Sequence, residues 1–193
     1  MRRFVPRSAL IGANAANVQP FPRPADMEPL VYDVLISRGI TSEQEARDFL
    51  YPSLDNLRDP FLLSDMAAAM DTIRRHVDAG SPITVYGDYD VDGVTASSIL
   101  YTHLKSLGAD VEVYLPSRHT EGYGLNDAAI EEIAGRSKLL ITVDCGISNA
   151  PQIALAKQLG LDCVVTDHHR PPETLPDCPT VNPLLNYYPF PSL

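Results

Sequence analysis

Apolar residues recur along this chain with two different periods, and the change falls near residue 81. Before it the spacing is helical. Met27 to Arg38 reads as a helix stopped by Gly39, and Ser42 with Glu45 forms a capping box that opens a short helix through Leu50. Residues 51–63 contain Pro52 and Pro60 and read as a loop. Met66, Met70, Ile73 and Val77 then recur at helical intervals, with Ser64 as the expected N-cap and Gly80 as the stop. After residue 81 short runs rich in β-branched residues alternate with helical stretches. Strands are predicted at 83–87, 111–115, 139–143 and 162–166, and helices at 94–107, 127–134 and 149–159.

That alternation predicts an α/β fold, a Rossmann-like parallel sheet flanked by helices, preceded by a short helical N-terminal segment. The expected organisation is a Pro-rich arm over 1–25, a helical segment over 26–80 and the sheet domain over 81–193. No element is predicted in the proline-rich tail after Arg170.

Acidic residues crowd the ends of the predicted strands. Asp88, Asp90 and Asp92 follow the first apolar run at alternating positions, Asp144 follows the third, and Asp167-His168-His169 follows the last. If the backbone stays extended, Asp88, Asp90 and Asp92 share one face. Carboxylates that close repel one another unless cations neutralise them or water screens them. Open α/β sheets also place ligands at the carboxyl ends of their strands. The pattern therefore predicts a divalent-metal hydrolase site. Oxygen ligands suit Mg²⁺ and Mn²⁺, and an imidazole from His168 shifts the balance toward Mn²⁺. Asp167 is placed to orient an imidazole. Gly93 would permit a tight turn and close approach of a ligand. Arg118, in the glycine-containing loop 116–125, suits a phosphate.

The 193 residues are 45% hydrophobic and carry a formal charge of −10. Residues 1–80 hold nine basic and eleven acidic side chains, and residues 81–193 six and fourteen. This excludes a simple basic coat for nucleic acid, although two bound divalent ions would cancel most of the site's charge. Cys145, Cys163 and Cys178 lack paired spacing and read as buried thiols of a reduced cytoplasmic protein. No apolar run is long enough to span a membrane.

Four stretches carry a family resemblance: 85–95 (Val-Tyr-Gly-Asp-Tyr-Asp-Val-Asp-Gly-Val-Thr), Arg118 with Glu121-Gly122-Tyr123-Gly124-Leu125, 142–148 (Thr-Val-Asp-Cys-Gly-Ile-Ser) and 165–169 (Val-Thr-Asp-His-His). They resemble the DHH phosphoesterase superfamily, and more closely the RecJ single-stranded-DNA exonucleases. The resemblance implies a 5′→3′ exonuclease that releases mononucleotides from single-stranded DNA with Mn²⁺ or Mg²⁺, in repair and recombination. Single-stranded-DNA-binding protein is a further implied partner. Carried over by motif, Asp90, Asp92, Asp144 and His168 would hold metal, Asp88, Asp167 and His169 would assist, and Arg118 and Gly93 would meet substrate. RecJ proteins continue for several hundred residues. The resemblance thus implies an N-terminal portion, with one more acidic ligand expected beyond Leu193. Two other readings compete: a DHH hydrolase of small substrates such as pyrophosphate or cyclic dinucleotides, and a catalytically silent DHH-fold scaffold.

Overall fold

The structure, a computed structural model, describes residues 21–185. Most of the arm expected over 1–25 therefore lies outside the described residues. The chain divides into two compact units after Arg58.

The first unit holds helices α1 (Pro29–Ser37) and α2 (Glu43–Leu50), followed by a 3-10 turn at Leu54–Asn56. Proline at the first helical position of α1 costs no hydrogen bond, because that N–H has no partner in the helix anyway. The helix ends at Ser37 with Arg38 as its cap, and Gly39 follows with a φ of +86°, which suits a residue without Cβ. In α2 the Ser42 hydroxyl accepts from Glu45 N at 3.2 Å. The Glu45 carboxylate reaches one residue further back than a standard capping box, accepting from Thr41 N at 2.8 Å. Met27, Leu35 and Ala46 form this unit's small core.

The second unit begins with a 3-10 turn (Pro60–Leu62) and α3 (Met66–Asp78). Both 3-10 turns lie in the stretch 51–63 expected as loop. Sequence pattern groups α3 with the N-terminal segment, but Met66, Ile73 and Val77 pack on the core of the sheet. The expected cap also differs. Asp65, not Ser64, precedes the helix; its φ is +58° and its side chain makes no capping bond. Its carboxylate accepts from Thr180 N at 3.1 Å instead, tying the start of α3 to the last strand.

The sheet comprises β1 (Ile83–Tyr86), β2 (Val111–Tyr114), β3 (Leu139–Val143), β4 (Asp162–Thr166) and β5 (Thr180–Val181), in the order β2-β1-β3-β4-β5. Every pairing is parallel. Helices α4 (Val91–Ser106), α5 (Asp127–Ala134) and α6 (Ala150–Gln158) complete the unit. Ile83, Val85, Leu104, Ile141 and Val164 pack in one core cluster, and Tyr86, Ile130, Ile133, Leu140, Ile153 and Val165 in another. Adjacent strand residues alternate between the clusters, so β1, β3 and β4 are apolar nearly throughout, as strands buried on both faces must be. Strand β5 lies in the tail expected to hold no element. Two residues are too few to show a period of two.

The chain leaves β1 for β2 on one side and returns to β3 on the other. The crevice between β1 and β3 is therefore the topological switch point, where parallel sheets bind ligands. Among the described residues no helix is long and apolar enough to cross a membrane.

Candidate metal centre

Strand β1 ends at Tyr86, and Asp88 follows it into the sheet's carboxyl edge, 2% exposed. Its Oδ1 accepts from Tyr89 N at 2.7 Å. The backbone is still extended at Asp90 (φ −85°, ψ −176°), whose carboxylate caps α4 by accepting from Asp92 N at 2.9 Å and Gly93 N at 3.1 Å. The helix thus begins at Val91, three residues before the predicted start. Asp92 consequently sits in the first helical turn, not on an extended strand, and the shared face expected for three alternating aspartates stops at Asp90. Gly93 also lies within the helix and makes no turn. A Cβ there would stand 2.4 Å from Asp88 O and 2.5 Å from Asp88 N. What approaches Gly93 closely is the Asp88 backbone, which packs the start of α4 against the loop.

Asp144 follows β3 with φ +61°, a left-handed conformation uncommon outside glycine. Its N–H donates to Thr166 O at 3.0 Å, which locks the turn to β4. From β4, Asp167 Oδ1 accepts from His168 N (2.7 Å) and His169 N (3.0 Å), and Oδ2 from Ile147 N (3.0 Å). The same Oδ1 lies 2.8 Å from His169 Nδ1. His168 Nε2 lies 2.9 Å from Asp144 Oδ1.

Two donor clusters result. Asp88, Asp90 and Asp144 bring ligand atoms within 4.8 Å of one another, and so do Asp144, His168 and His169. Asp144 belongs to both. Beside them lies a cavity of about 390 Å³ lined by Asp92, Val143, Asp144, Thr166, Asp167 and His168. Asp92 is thus a wall of the cavity and belongs to neither cluster.

The electrostatics match an acidic centre. Burial, then the negative charge of Asp90, raises the Asp144 carboxyl above its ordinary pKa. The N–H of Gly93 holds Asp90 below its own. Burial pulls His169 down, but the hydrogen bond and charge of Asp167, with Asp144 and Asp88, outweigh it and raise the imidazole. Carboxylates crowded at a buried strand end, with imidazoles alongside, are a donor set that fits Mn²⁺ or Mg²⁺. The thiol of Cys145 is pushed up chiefly by burial, which suits an inert core residue.

The loop after β2 is pinned from within. Glu121 accepts from Ser117 N at 2.7 Å and from the Tyr114 hydroxyl at 2.6 Å, and Tyr86 OH donates to Gly124 O at 2.9 Å. This leaves Arg118 exposed, its guanidinium 5.5 Å from the centre of the Tyr89 ring beside Asp88.

Two contacts are not anticipated from the sequence. Tyr123 meets the His169 ring edge-on, with centroids 6.0 Å apart. Buried Asn182, just past β5, donates to His169 O at 2.8 Å. The Glu-Gly-Tyr-Gly-Leu motif is a signal for the first, whereas nothing marks the second.

Residues 82–189 match the model of the DHH family, N-terminal domain, and the chain belongs to that family. Within it the chain is similar to the single-stranded-DNA-specific exonuclease RecJ of Bacillus subtilis, 43% identical over 150 residues. That match covers 77% of this chain and 19% of that protein. RecJ of Escherichia coli is 34% identical over 172 residues, covering 88% of this chain and 29% of that protein. The chain therefore spans less than a third of these relatives. Among solved structures, RecJ bound to manganese superposes with TM-score 0.64 at 37% identity, covering 67% of this chain and 34% of that one. RecJ of Thermus thermophilus in complex with Mn²⁺ gives 0.62 at 32%, covering 80% and 21%.

Proposed function

We propose that this chain carries the amino-terminal part of the metal centre of a RecJ-type exonuclease, acting on single-stranded DNA in the 5′→3′ direction and releasing mononucleotides. The observation that carries the reading is the pair of donor clusters sharing Asp144 at the switch point of the sheet. Asp88, Asp90 and Asp144 would hold one ion, and Asp144 and His168 a second with His169 alongside, and Asp92 at the cavity wall would be a further ligand. Bound Mn²⁺ or Mg²⁺ supplies an activated water and neutralises charge on the phosphoryl group.

The chain's own groups do the rest. Asp144, common to both clusters, would contribute to both ion sites. Asp167 fixes His169 through Nδ1 and so presents its other nitrogen to a proton or a phosphate oxygen. Arg118, steadied over Tyr89, offers a planar fork to a backbone phosphate. DNA repair and recombination in the cytoplasm, alongside single-stranded-DNA-binding protein, is the setting this reading assigns.

The test is Mn²⁺-dependent digestion of single-stranded DNA labelled at either end, with Asp90→Asn as the control. Asparagine keeps the helix cap and removes the charge. Early release of 5′-labelled mononucleotide, lost in the variant, is expected. Release first from the 3′ end, or equal release by the variant, would overturn the reading. Mn²⁺ binding without digestion would confine it to metal binding by this portion of the protein.

A further inference from the structure

A second cluster lies at the other end of β4, away from the metal centre. Cys163 in β4 and Cys178 before β5 line one cavity of about 190 Å³, together with Arg75, Lys157, Asp162 and Asp177. The parallel register sets Val165 against Thr180. Cys163 stands two residues before Val165 within β4, and Cys178 two residues before Thr180, in the bend that leads into β5. Cys163 belongs to the same core cluster as Val165, and Cys178 packs against that cluster. Pairing to β4 reaches Pro179, whose carbonyl accepts from Val165 N at 2.9 Å, so the bend that carries Cys178 lies beside β4, and a disulfide there needs roughly 4.4–6.8 Å between the two Cα atoms. Neither sulfur is firmly held. Cys163 Sγ is 3.9 Å from Leu161 O and Cys178 Sγ 4.0 Å from Thr180 Oγ1, both weak contacts that a turn about χ1 gives up cheaply.

We propose that Cys163 and Cys178 form an oxidisable dithiol site, closed to an intramolecular disulfide by a two-electron oxidant of the peroxide class. Cys178 is the more exposed thiol and reacts first. Its thiolate attacks hydrogen peroxide, the O–O bond breaks, and a sulfenic acid and one water result. Cys163 then attacks that sulfur; the S–S bond forms, the S–O bond breaks, and the oxygen leaves as a second water. Two thiols lose two electrons and two protons while the peroxide is reduced to water.

Burial raises Cys163 to about 12 and Cys178 to about 11. The positive charge of Lys157 opposes this at both, whereas Asp162 adds to the rise at Cys163 and Asp177 at Cys178. Arg75 is engaged by Asp162 and Lys157 by Asp177. Closure is accordingly slow at neutral pH and faster above it. The link would fasten β5 to β4, and with it Asn182, which holds the His169 carbonyl.

The test treats the folded chain with hydrogen peroxide at about pH 8, where thiolate is more abundant. Free thiols are then alkylated before denaturation, and unreduced peptides are mapped by mass spectrometry. The expected product is a Cys163–Cys178 cross-link lighter by two hydrogens, with Cys145 still a free thiol. Amide exchange at Val165 and Asp167, which donate to Pro179 O and Val181 O, should slow in the oxidised form. Cys178→Ser should lose the cross-link, and Cys145→Ser should keep it. A cross-link through Cys145, disulfides only between chains, or sulfinic acid at Cys178 without any link would each overturn the proposal.

Discussion

The two ends of the parallel sheet treat negative charge in opposite ways. At the amino end the carboxylates of Asp162, Glu112 and Asp177 each meet an arginine or a lysine. Asp162 pairs with Arg75 at 3.0 Å and with His76, Glu112 with Arg136 at 2.5 Å, and Asp177 with Lys157. At the carboxyl end Asp88, Asp90 and Asp144 stand against one another, and the polar partners beside them are imidazoles, His168 at Asp144 and His169 at Asp167. The amino-end pairs are largely exposed and their charges are balanced within the chain. Asp88, Asp144 and Asp167 at the carboxyl end are buried, and the charge there is left for something else to balance. Like charges held together without a cation cost stability, so the acidic end is built at the expense of the metal-free fold and recovers that cost when a cation binds.

The largest expected effect breaks the acidic end at its shared member. In the unaltered chain, Mn²⁺ at about 100 times its dissociation constant should add about 2.7 kcal/mol, read as a rise in melting temperature. Asp144→Ala should lose most of that rise, because both clusters use Asp144. Its metal-free form should be no less stable than the parent, since a crowded carboxylate has gone. An undiminished Mn²⁺ response would show that the ion binds somewhere other than at these clusters. Next in size is the packing that brings Asp88 to Asp90. Gly93→Ala puts a methyl group against the Asp88 backbone, at 2.4 Å from its carbonyl oxygen. Overpacking of this kind costs about 1–3 kcal/mol. A urea melt of metal-free protein measures it, and a neutral result would mean that the loop yields freely.

Legibility in sequence follows the same division. Strands β1, β3 and β4 are buried on both faces, so their apolar runs are plain, and a carboxylate directly after such a run is already at the right edge of the sheet. Asp88, Asp90, Asp144 and the Asp-His-His turn can be placed from this rule alone. Asp92 cannot. Its position depends on Asp90 capping a helix, and alternating aspartates read equally well as strand or as cap plus first turn. Strand β5 is hidden because Thr180 and Val181 are in the sheet only through contacts to β4 and Asp65. The Asn182 contact to His169 is hidden with it. Local pattern shows what a segment prefers, whereas these residues take their places from partners distant in the chain.

At the amino end a smaller effect should have a different character. Asp162→Asn removes the partner of Arg75 and His76. The side chains of Arg75 and Asp162 are 64% and 49% exposed, so solvent screening limits the cost to about 1 kcal/mol or less. The loss should shrink further in high salt, and the Mn²⁺ response should match that of the unaltered chain. A Mn²⁺ response that fell in this variant would erase the distinction between the two ends.

The smallest effect concerns pH and separates the carboxyl-end groups from each other. Both Asp144 and His169 have raised pKa values in the fold. A raised group binds its proton more tightly when folded, so its contribution is complete below the unfolded value and disappears as pH climbs through the folded one. For Asp144 that decline starts near its ordinary 3.8, and for His169 near 6.5. The metal-free chain should therefore lose stability in two steps on going from acid to neutral and beyond, the upper one owed to His169 on Asp167. His169→Gln should flatten the upper step and leave the lower one in place, as read from melting temperatures across the range in a chelating buffer. Curves that stay parallel above 6.5 would show that Asp167 holds the His169 ring by geometry alone and adds nothing by charge.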